Sequence, residues 1–398
     1  MDKTIYLDNN ATTPVDRRVL DAMLPYFCEK FGNPASIHHR FGWEASDAVE
    51  KARVQVADMI GSTPEEIIFT SGATEADNLA IKGIARLLAE KGKHIVTCKT
   101  EHKAVLDVCK WLESQGYEIT YLPVDKYGVV DIDLLSESIR KDTILVSIMA
   151  ANNETGTIAP IEMIGTICKS KGVLFHTDAT QAFGKIPIDV EQMGIDLLSL
   201  SAHKIYGPKG IGALYVRRKN PRVRCEPIIH GGGHERGMRS GTLNVPGIVG
   251  LGEASEIAKS QMEEDANRLR KLRDKLYRSL SEQLEGVTLN GHPEERLPNT
   301  ANISFAWVEG EALMLGISEI AVSSGSACTS SSLEPSHVLR AMGVLDVLAH
   351  NSIRFSLGRF NTSDEIDYVI KRVVEEVNRL RELSPLYEMA KQGKELRF

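Results

Sequence analysis

Short apolar runs alternate with amphipathic helical patterns through the first two thirds of the chain. The longest helical pattern there extends from about Ala73 to Lys91 and stops at Gly92. Strands that alternate with helices are typical of a mostly parallel sheet covered on both faces, so the sequence predicts an α/β fold. The runs predicted to be strands are 66–70, 94–98, 143–148, 173–177, 196–200 and 211–216.

The pattern changes after about Gly252. A long charged amphipathic helix is predicted at roughly 253–284, and a final helix at about 364–383. Short strands are predicted between them, at 302–305 and 352–355. We expect this part of the chain to form a second, smaller α+β domain.

Length and charge narrow the classes of function. The chain has 398 residues, which suits about two domains. Its net charge is −7, from 47 basic and 54 acidic residues, and no run of clustered lysines and arginines stands out. Nucleic-acid binding requires a basic face, so we expect no nucleic-acid partner.

The N-terminus and the cysteines indicate a compartment. No apolar segment follows Met1, and no apolar run is long enough to span a bilayer, so neither a signal peptide nor a membrane partner is expected. The six cysteines are scattered without a CxxC pair. That spacing favours free thiols in a reducing cytoplasm over a disulfide framework or a zinc site.

Polar residues follow several predicted strands, at the sheet edge where α/β proteins bind ligands. Residues 71–75 (SGATE) join a strand to a helix, and their amides with the Thr74 hydroxyl suit a phosphate; an ordinary capped helix has the same pattern. Asp178 could hold a pyridinium nitrogen protonated or simply cap a helix. His102 could stack on a flat cofactor and move a proton, or lie at the surface. Residues 152–156 (NNETG) suit either a hydrogen-bonding site or a turn.

Three further residues carry candidate chemistry. Lys204, after a predicted strand, could form a Schiff base, although a lone lysine is more often exposed. Arg354 alternates with apolar residues in 353–356, and its fork suits the carboxylate of an amino acid, or it faces solvent. Cys328 lies within 323–332 (SSGSACTSSS), a stretch of small residues that suits a mobile loop carrying a nucleophilic thiolate. An inert buried cysteine is the alternative, but the lack of bulky apolar neighbours argues against burial. The other five cysteines fit inert buried thiols.

A glycine-rich stretch, 230–234 (HGGGH) with 239–242 (RSGT), could approach a phosphate of its own or a partner subunit. Its two histidines have no evident third ligand, so no metal site is expected.

These motifs, in this order, resemble the cysteine desulfurases of the NifS/IscS type, group I. That group belongs to the fold-type I (aspartate aminotransferase-like) pyridoxal-phosphate (PLP) enzymes of the class V aminotransferase family. The resemblance covers nearly the whole chain, and SSGSACTS with its trailing LEPS is the most specific part. The matching stretches are 6–14, 32–36, 70–75, 101–103, 152–156, 178–181, 201–204, 239–242, 323–328 and 333–336.

The resemblance implies a large PLP-binding domain at 15–255 with a seven-stranded sheet, and a small domain of 1–14 and 256–398 that carries the Cys328 loop. It implies Lys204 as the PLP lysine and the catalytic residues Cys328, Lys204 and His102. The implied PLP contacts are Asp178 with the pyridine nitrogen, Gln181 with the ring hydroxyl oxygen, His102 stacked on the ring, Ala73, Thr74, Ser201 and His203 with the phosphate, Asn153, and Thr242 from the neighbouring subunit of a homodimer. Asn153 and Arg354 are implied to hold the substrate carboxylate.

By the same resemblance, L-cysteine gives L-alanine and a persulfide on Cys328. The sulfur then passes to an iron–sulfur scaffold protein or a thiolation enzyme, where Cys328 transiently contacts a cluster. A selenocysteine lyase, a class V aminotransferase and a non-catalytic subunit of a sulfur-assembly complex are the alternatives. A transaminase has no use for Cys328, and a non-catalytic subunit has none for Lys204.

Overall fold

The computed structural model describes residues 4–324 and 335–392. Its strands are β1 Ile5–Tyr6, β2 Ile67–Thr70, β3 His94–Cys98, β4 Glu118–Leu122, β5 Thr143–Ser147, β6 Leu174–Asp178, β7 Leu197–Ser201, β8 Gly212–Val216, β9 Val287–Asn290, β10 Thr300–Phe305, β11 Ile320–Ala321, β12 Ser323–Ser324 and β13 Ser352–Ser356. Its helices are α1 Arg17–Met23, α2 Pro25–Cys28, α3 Arg40–Met59, α4 Ala73–Leu87, α5 Lys103–Ser114, α6 Ile132–Ser138, α7 Ile161–Lys171, α8 Val245–Gln283, α9 Gly310–Gly316, α10 His337–Ala341, α11 Asp346–His350, α12 Ser363–Glu382 and α13 Pro385–Lys391.

The main sheet has seven strands in the order β2-β8-β7-β6-β5-β3-β4. Its neighbouring strands are parallel except for β8, which runs antiparallel to both β2 and β7. The predicted α/β fold with a mostly parallel seven-stranded sheet is confirmed.

Successive residues of the central strands enter different hydrophobic cores. Leu145 and Leu197 pack in one buried cluster, whereas their neighbours Val146 and Leu198 pack in another. A strand places consecutive side chains on opposite faces, so this split gives the sheet a core on each side. The strands read as continuous apolar runs because both faces are buried.

A second sheet of four antiparallel strands has the order β12-β13-β10-β9, and β1 pairs in parallel with β11 beside it. Ile303 of β10 and Phe355 of β13 lie in a third buried cluster with residues of α8 and α12. Ile5 and Leu7, from the start of the chain, pack in the same cluster.

Helix α8 contributes to two of these cores. It begins at Val245, earlier than predicted, because Asn244 caps it by accepting a hydrogen bond from the Gly247 amide. Leu251 lies in the core beneath the main sheet and Leu276 in the core of the second sheet. The proposed boundary between 255 and 256 therefore falls inside a continuous helix, and the division into two domains stays a prediction.

Other elements also differ from expectation. Helix α4 ends at Leu87 rather than at Lys91, and Gly92 serves close packing instead, since a Cβ there would lie 2.1 Å from the Asp142 carbonyl oxygen. Strand β4 lies at the edge of the main sheet and was not among the predicted runs. Across 4–324 and 335–392, every helix is too short or too polar to traverse a bilayer.

Candidate active site

A pocket of about 570 Å³ opens beyond the carboxyl ends of the main-sheet strands. Most of the residues singled out from the sequence line it: Ala73, Thr74, His102, Asn153, Asp178, Gln181, Ser201, His203, Lys204 and Arg354. Two do not. Cys328 lies outside the described residues, and Thr242 is exposed on this chain, away from its own pocket.

The N-terminus of α4 forms one wall. Gly72 precedes the helix, and no side-chain hydrogen bond caps its first turn. Burial alone would raise the pKa of Glu75, but hydrogen bonds from Arg239 and Ser71 together outweigh burial and lower it. Glu75, the acid in this first turn, is therefore paired with Arg239. The backbone amides of the turn, which no side chain caps, suit an anion.

Asp178 is the last residue of β6, and Gln181 follows three positions later. The Oδ1 atom of Asp178 accepts a hydrogen bond of 2.9 Å from the Thr180 amide, which fixes the carboxylate at the pocket wall. The Nε2 atom of Gln181 donates to the Asn10 carbonyl oxygen over 2.9 Å. The Asp178 carboxylate and the Gln181 side-chain amide therefore both line the pocket.

Lys204 and His203 follow β7 in a short 3₁₀ turn, Ala202–Lys204. The Nζ atom of Lys204 donates to the carbonyl oxygens of Asn10 (2.5 Å) and Ala11 (2.8 Å). The Nδ1 atom of His203 lies 3.1 Å from Thr12 Oγ1. Burial, helped by the charge of Lys204, lowers the pKa of His203 to about 4, so its imidazole is neutral at pH 7.

His102 caps α5. Its Nδ1 atom accepts a hydrogen bond of 3.1 Å from the Ala104 amide, so the proton of the neutral ring resides on Nε2. A fixed tautomer prepares this side chain to donate a proton from Nε2.

Arg354 lies in β13 and is buried. Its Nη2 atom donates to Asp8 Oδ1 over 2.7 Å, and its Nη1 atom donates to the Asn153 carbonyl oxygen over 3.0 Å. Its Nε atom is buried and has no hydrogen-bond partner among the described residues. Nη1 and Nη2 each carry a second N–H bond, so the guanidinium has capacity for a further acceptor from the pocket that Arg354 lines.

A buried acid borders the pocket. Asp77 in α4 has 0% exposure, and Asp77 Oδ1 is 3.6 Å from His176 Nε2. Burial, with the negative charge of Asp178 nearby, raises the pKa of Asp77 well above its ordinary value. Burial also lowers the pKa of His176 to about 4. Near pH 7 the His176 imidazole is therefore neutral, and the Asp77 carboxyl beside it holds its proton more tightly than an exposed acid does.

The family model described as aminotransferase class-V matches residues 5–369. The chain belongs to the class V aminotransferase family. The predicted family is confirmed.

Its relatives include cysteine desulfurases. Cysteine desulfurase IscS of Anaeromyxobacter sp. (strain Fw109-5) is 61% identical over 392 residues, which are 98% of this chain and 97% of the relative. Cysteine desulfurase IscS of Pectobacterium carotovorum subsp. carotovorum (strain PC1) is 60% identical, over 98% of this chain and 96% of the relative.

Solved structures of similar proteins agree with this placement. A NifS-like protein superposes with a TM-score of 0.88 at 45% identity, covering 95% of this chain and 100% of that chain. The structure of SspA in complex with cysteine has a TM-score of 0.76 at 40% identity and covers 90% of this chain and 100% of that chain.

Some residues in or beside the pocket of this class V family member were not identified from the sequence. Asp8 and Asn10 lie in the stretch 6–14, which was noted without a role for either residue. Asp77 lies on a helix where nothing local separates it from an ordinary polar position. Lys185 was missed for the same reason.

The described cysteines differ in exposure. Burial raises the pKa of the thiols of Cys98 (to about 11), Cys168 and Cys225 (each to about 12), and raises that of Cys109 as well. Cys28 is exposed, so the expectation of a buried thiol was wrong for this residue. It lies at the end of the four-residue helix α2, which buries none of its side chains.

The glycine-rich stretch does not gather metal ligands. The Nδ1 atom of His234 accepts a hydrogen bond of 3.2 Å from the Gly241 amide. Within 4–324 and 335–392, no group of three or more histidine, cysteine or acidic side chains has the arrangement of a metal site.

Proposed function

We propose that this chain is a PLP-dependent cysteine desulfurase, which converts L-cysteine to L-alanine and leaves the sulfur as a persulfide on Cys328. One observation carries the proposal. A single pocket contains a lysine after a strand, an aspartate at the end of the neighbouring strand, an uncapped helix N-terminus and a buried arginine. The identity of about 60% to relatives named cysteine desulfurase supports the same reaction.

The pocket fits PLP by the chemistry of its donors and acceptors. Lys204 supplies an amine for the aldehyde, and Asp178 supplies an anion for the pyridinium nitrogen. The uncapped start of α4 at Ala73 and Thr74, with Ser201 and the neutral His203, suits the phosphate. A Cβ on Gly212 would lie 2.7 Å from Gly72 Cα. The loop before α4, which is proposed to hold the phosphate, therefore fits only because position 212 carries no side chain.

Bound PLP draws electrons from the amino acid attached to it and so weakens bonds at its α and β carbons. Arg354 and Asn153 hold the substrate carboxylate, and the position of both residues on the pocket wall supports this role. Lys204 Nζ moves the proton at the α carbon. His102, whose ring proton lies on Nε2, can transfer a proton to the substrate or to the leaving group.

Cys328 acts as the nucleophile toward the substrate sulfur. Its thiolate forms a sulfur–sulfur bond while the bond from the β carbon to sulfur breaks, and the electron pair of that bond stays with the carbon. One proton then completes the methyl group of alanine. The persulfide sulfur passes to an acceptor, for which we propose an iron–sulfur scaffold protein or a thiolation enzyme.

We also propose that the protein is a cytoplasmic homodimer in which Thr242 of one subunit reaches the phosphate in the other. The exposure of Thr242 outside its own pocket supports this arrangement.

Two serine variants and the wild type test the reaction. Each protein is reconstituted with PLP and incubated with L-cysteine, and the mass of each cysteine-containing peptide is measured without added reductant. Alanine, and the sulfide released by an added dithiol reductant, are measured in a parallel sample. We expect one additional sulfur atom on the Cys328 peptide of the wild type. Cys328→Ser should keep the visible band of bound PLP and lose sulfide release. Cys28→Ser, which removes an exposed thiol outside the pocket, should behave as the wild type.

The other outcomes separate the rivals. Undiminished sulfide release by Cys328→Ser, or alanine without added sulfur on Cys328, would defeat the transfer step. A wild-type protein that gains no visible band with PLP would favour a non-catalytic subunit.

A further inference from the structure

Gln181 has a second partner, which does not line the pocket. Its Oε1 atom accepts a hydrogen bond of 2.9 Å from Lys185 Nζ, while its Nε2 atom donates to the Asn10 carbonyl oxygen. Gly184, with a φ of +74°, lets the turn fold back so that Lys185 lies beneath Gln181. A Cβ at this glycine would lie 2.6 Å from the Ile205 side chain. Another residue type would therefore disturb the turn.

These two contacts require one orientation of the Gln181 amide. An ammonium or amine donates, so it selects Oε1, and a carbonyl oxygen accepts, so it selects Nε2. Nε2 carries two N–H bonds, and Asn10 takes one of them. The other is left for an acceptor in the pocket that Gln181 lines. Reversing the amide would oppose two oxygens at Asn10 and two nitrogens at Lys185.

Lys185 lies behind the pocket rather than in it. Gln181 lines the large pocket, whereas Lys185 lines a separate small cavity of about 30 Å³, and Lys204 borders both. Asn10 connects the two lysines, because its carbonyl oxygen accepts from both Gln181 and Lys204. Because Lys185 does not line the pocket, it acts on a pocket ligand through its hydrogen bond to Gln181.

We propose that Lys185 is a positioning residue that fixes the Gln181 amide with its N–H directed to the ring oxygen of the cofactor. The inference rests on the proposed function, since it concerns PLP bound in the same pocket. A donor aimed at that oxygen stabilises its ionised form and so eases loss of the proton shared with the lysine-bound nitrogen. Burial, with the charges of Lys204 and Arg354, lowers the pKa of Lys185 to about 7. The contact survives loss of that proton, because a neutral amine still donates.

The test is a double-mutant cycle read by spectroscopy. Wild type, Lys185→Met, Gln181→Ala and the double variant are reconstituted with PLP, and the visible band is titrated with pH. For Lys185→Met we expect the midpoint to rise by about half to one pH unit, the size of one lost hydrogen bond to the ionised form. Lys185→Arg, which keeps the donor, should restore most of the shift. The double variant should shift no further than Gln181→Ala alone.

Lys82→Met is the matched control. Lys82 is also partly buried, and burial lowers its pKa, but it lies over the Trp111 ring outside the pocket. We expect its titration to match the wild type. Near-ultraviolet circular dichroism checks the fold of each variant, and Lys185→Gln replaces Lys185→Met in the cycle if the latter does not fold.

Two results overturn the inference while the proposed function stands. One is an unshifted midpoint in a folded, PLP-loaded Lys185→Met. The other is a shift that adds in full to that of Gln181→Ala, which would make Lys185 an independent charge. A wild type without a visible band overturns the proposed function and this inference together.

Discussion

Arg354 already contacts a carboxylate of its own chain at the place where a substrate carboxylate is proposed to bind. The contact with Asp8 uses one N–H bond of Nη2 and leaves the second for a substrate carboxylate, so the planar fork serves both acids. Lys carries the same charge on a single nitrogen. We therefore expect Arg354→Lys to raise KM for L-cysteine about tenfold to a hundredfold, the effect of losing charged hydrogen bonds, with a smaller change in kcat. Steady-state alanine formation measures both constants.

Arg372→Lys is the control for that substitution, because Arg372 pairs with Glu319 over 2.7 Å outside the pocket. Its KM should equal that of the wild type. A wild-type KM in Arg354→Lys would remove Arg354 from the substrate site.

Glu154 gives a residue-scale prediction about pH. Burial raises the pKa of its carboxyl to about 7, against the hydrogen bond from Ser336 and the charge of Arg354. The folded protein thus keeps this proton up to about pH 7, whereas the unfolded chain releases it near 4.5. Stability from this group is present at acid pH and is lost as pH rises through 7.

Glu154→Gln should remove that dependence. Between pH 5 and pH 8, the free energy of unfolding of the wild type should fall relative to the variant by about 1–3 kcal/mol, measured by urea unfolding. Glu311→Gln, an exposed position in α9, should track the wild type across this range. A constant difference between Glu154→Gln and the wild type would contradict the raised pKa.

Residues of the site could be predicted from the sequence where they lie in a recognisable local motif. Asp178 and Lys204 each follow an apolar run at the sheet edge, so position and residue type pointed to the pocket. Lys185 and Asp8 could not be found in this way, because their roles depend on contacts with Gln181 and Arg354 that only the folded chain creates.

At the scale of the element, β8 shows how a strand end shapes the neighbouring loop. Gly212 pairs with Thr70 of β2 and Ser201 of β7, and its missing side chain admits the Gly72 backbone. Gly212→Ala should displace the loop before α4, weaken PLP binding at least tenfold and lower Tm, because the new Cβ would overlap backbone atoms. Titration of the protein with PLP gives the dissociation constant.

Gly116→Ala separates loss of stability from damage to the pocket. Gly116 has a φ of +83° and open space around it, so alanine strains the backbone there by about 1 kcal/mol without touching the site. Its affinity for PLP should be unchanged. Equal affinities of Gly212→Ala and the wild type would refute the packing argument.

Elements could be predicted where burial is complete and not where it is partial. The run at β5 is buried throughout, whereas the edge strand β4 is mostly half-exposed and has no uniform apolar signal. The first turns of α8 contain Gly250 and Gly252, which indicate a loop in a sequence. In the fold they admit close packing, since a Cβ on Gly252 would lie 2.6 Å from Ala52 Cα in α3.

At the scale of the whole molecule, α8 joins the core of the main sheet to that of the second sheet. Its 39 residues extend about 58 Å at the usual helical rise, and no glycine or proline interrupts the part from Glu253 onward. Arg359 adds a second link, because it contacts Asp16 before α1 and Asp265 of α8. A substitution that destabilises either core should therefore also destabilise the other.

Leu251→Ala and Leu276→Ala test this coupling, since each removes a fully buried side chain from a different core. Each should cost about 2–5 kcal/mol of stability. Urea unfolding is followed by far-ultraviolet circular dichroism, which reports all helices, and by the visible band of bound PLP, which reports the pocket. If α8 transmits the loss, both probes shift together in both variants. An early dichroism step in Leu276→Ala with the visible band intact would mean that the second core unfolds alone, because the helix would then fray between Leu251 and Leu276 instead of coupling the cores.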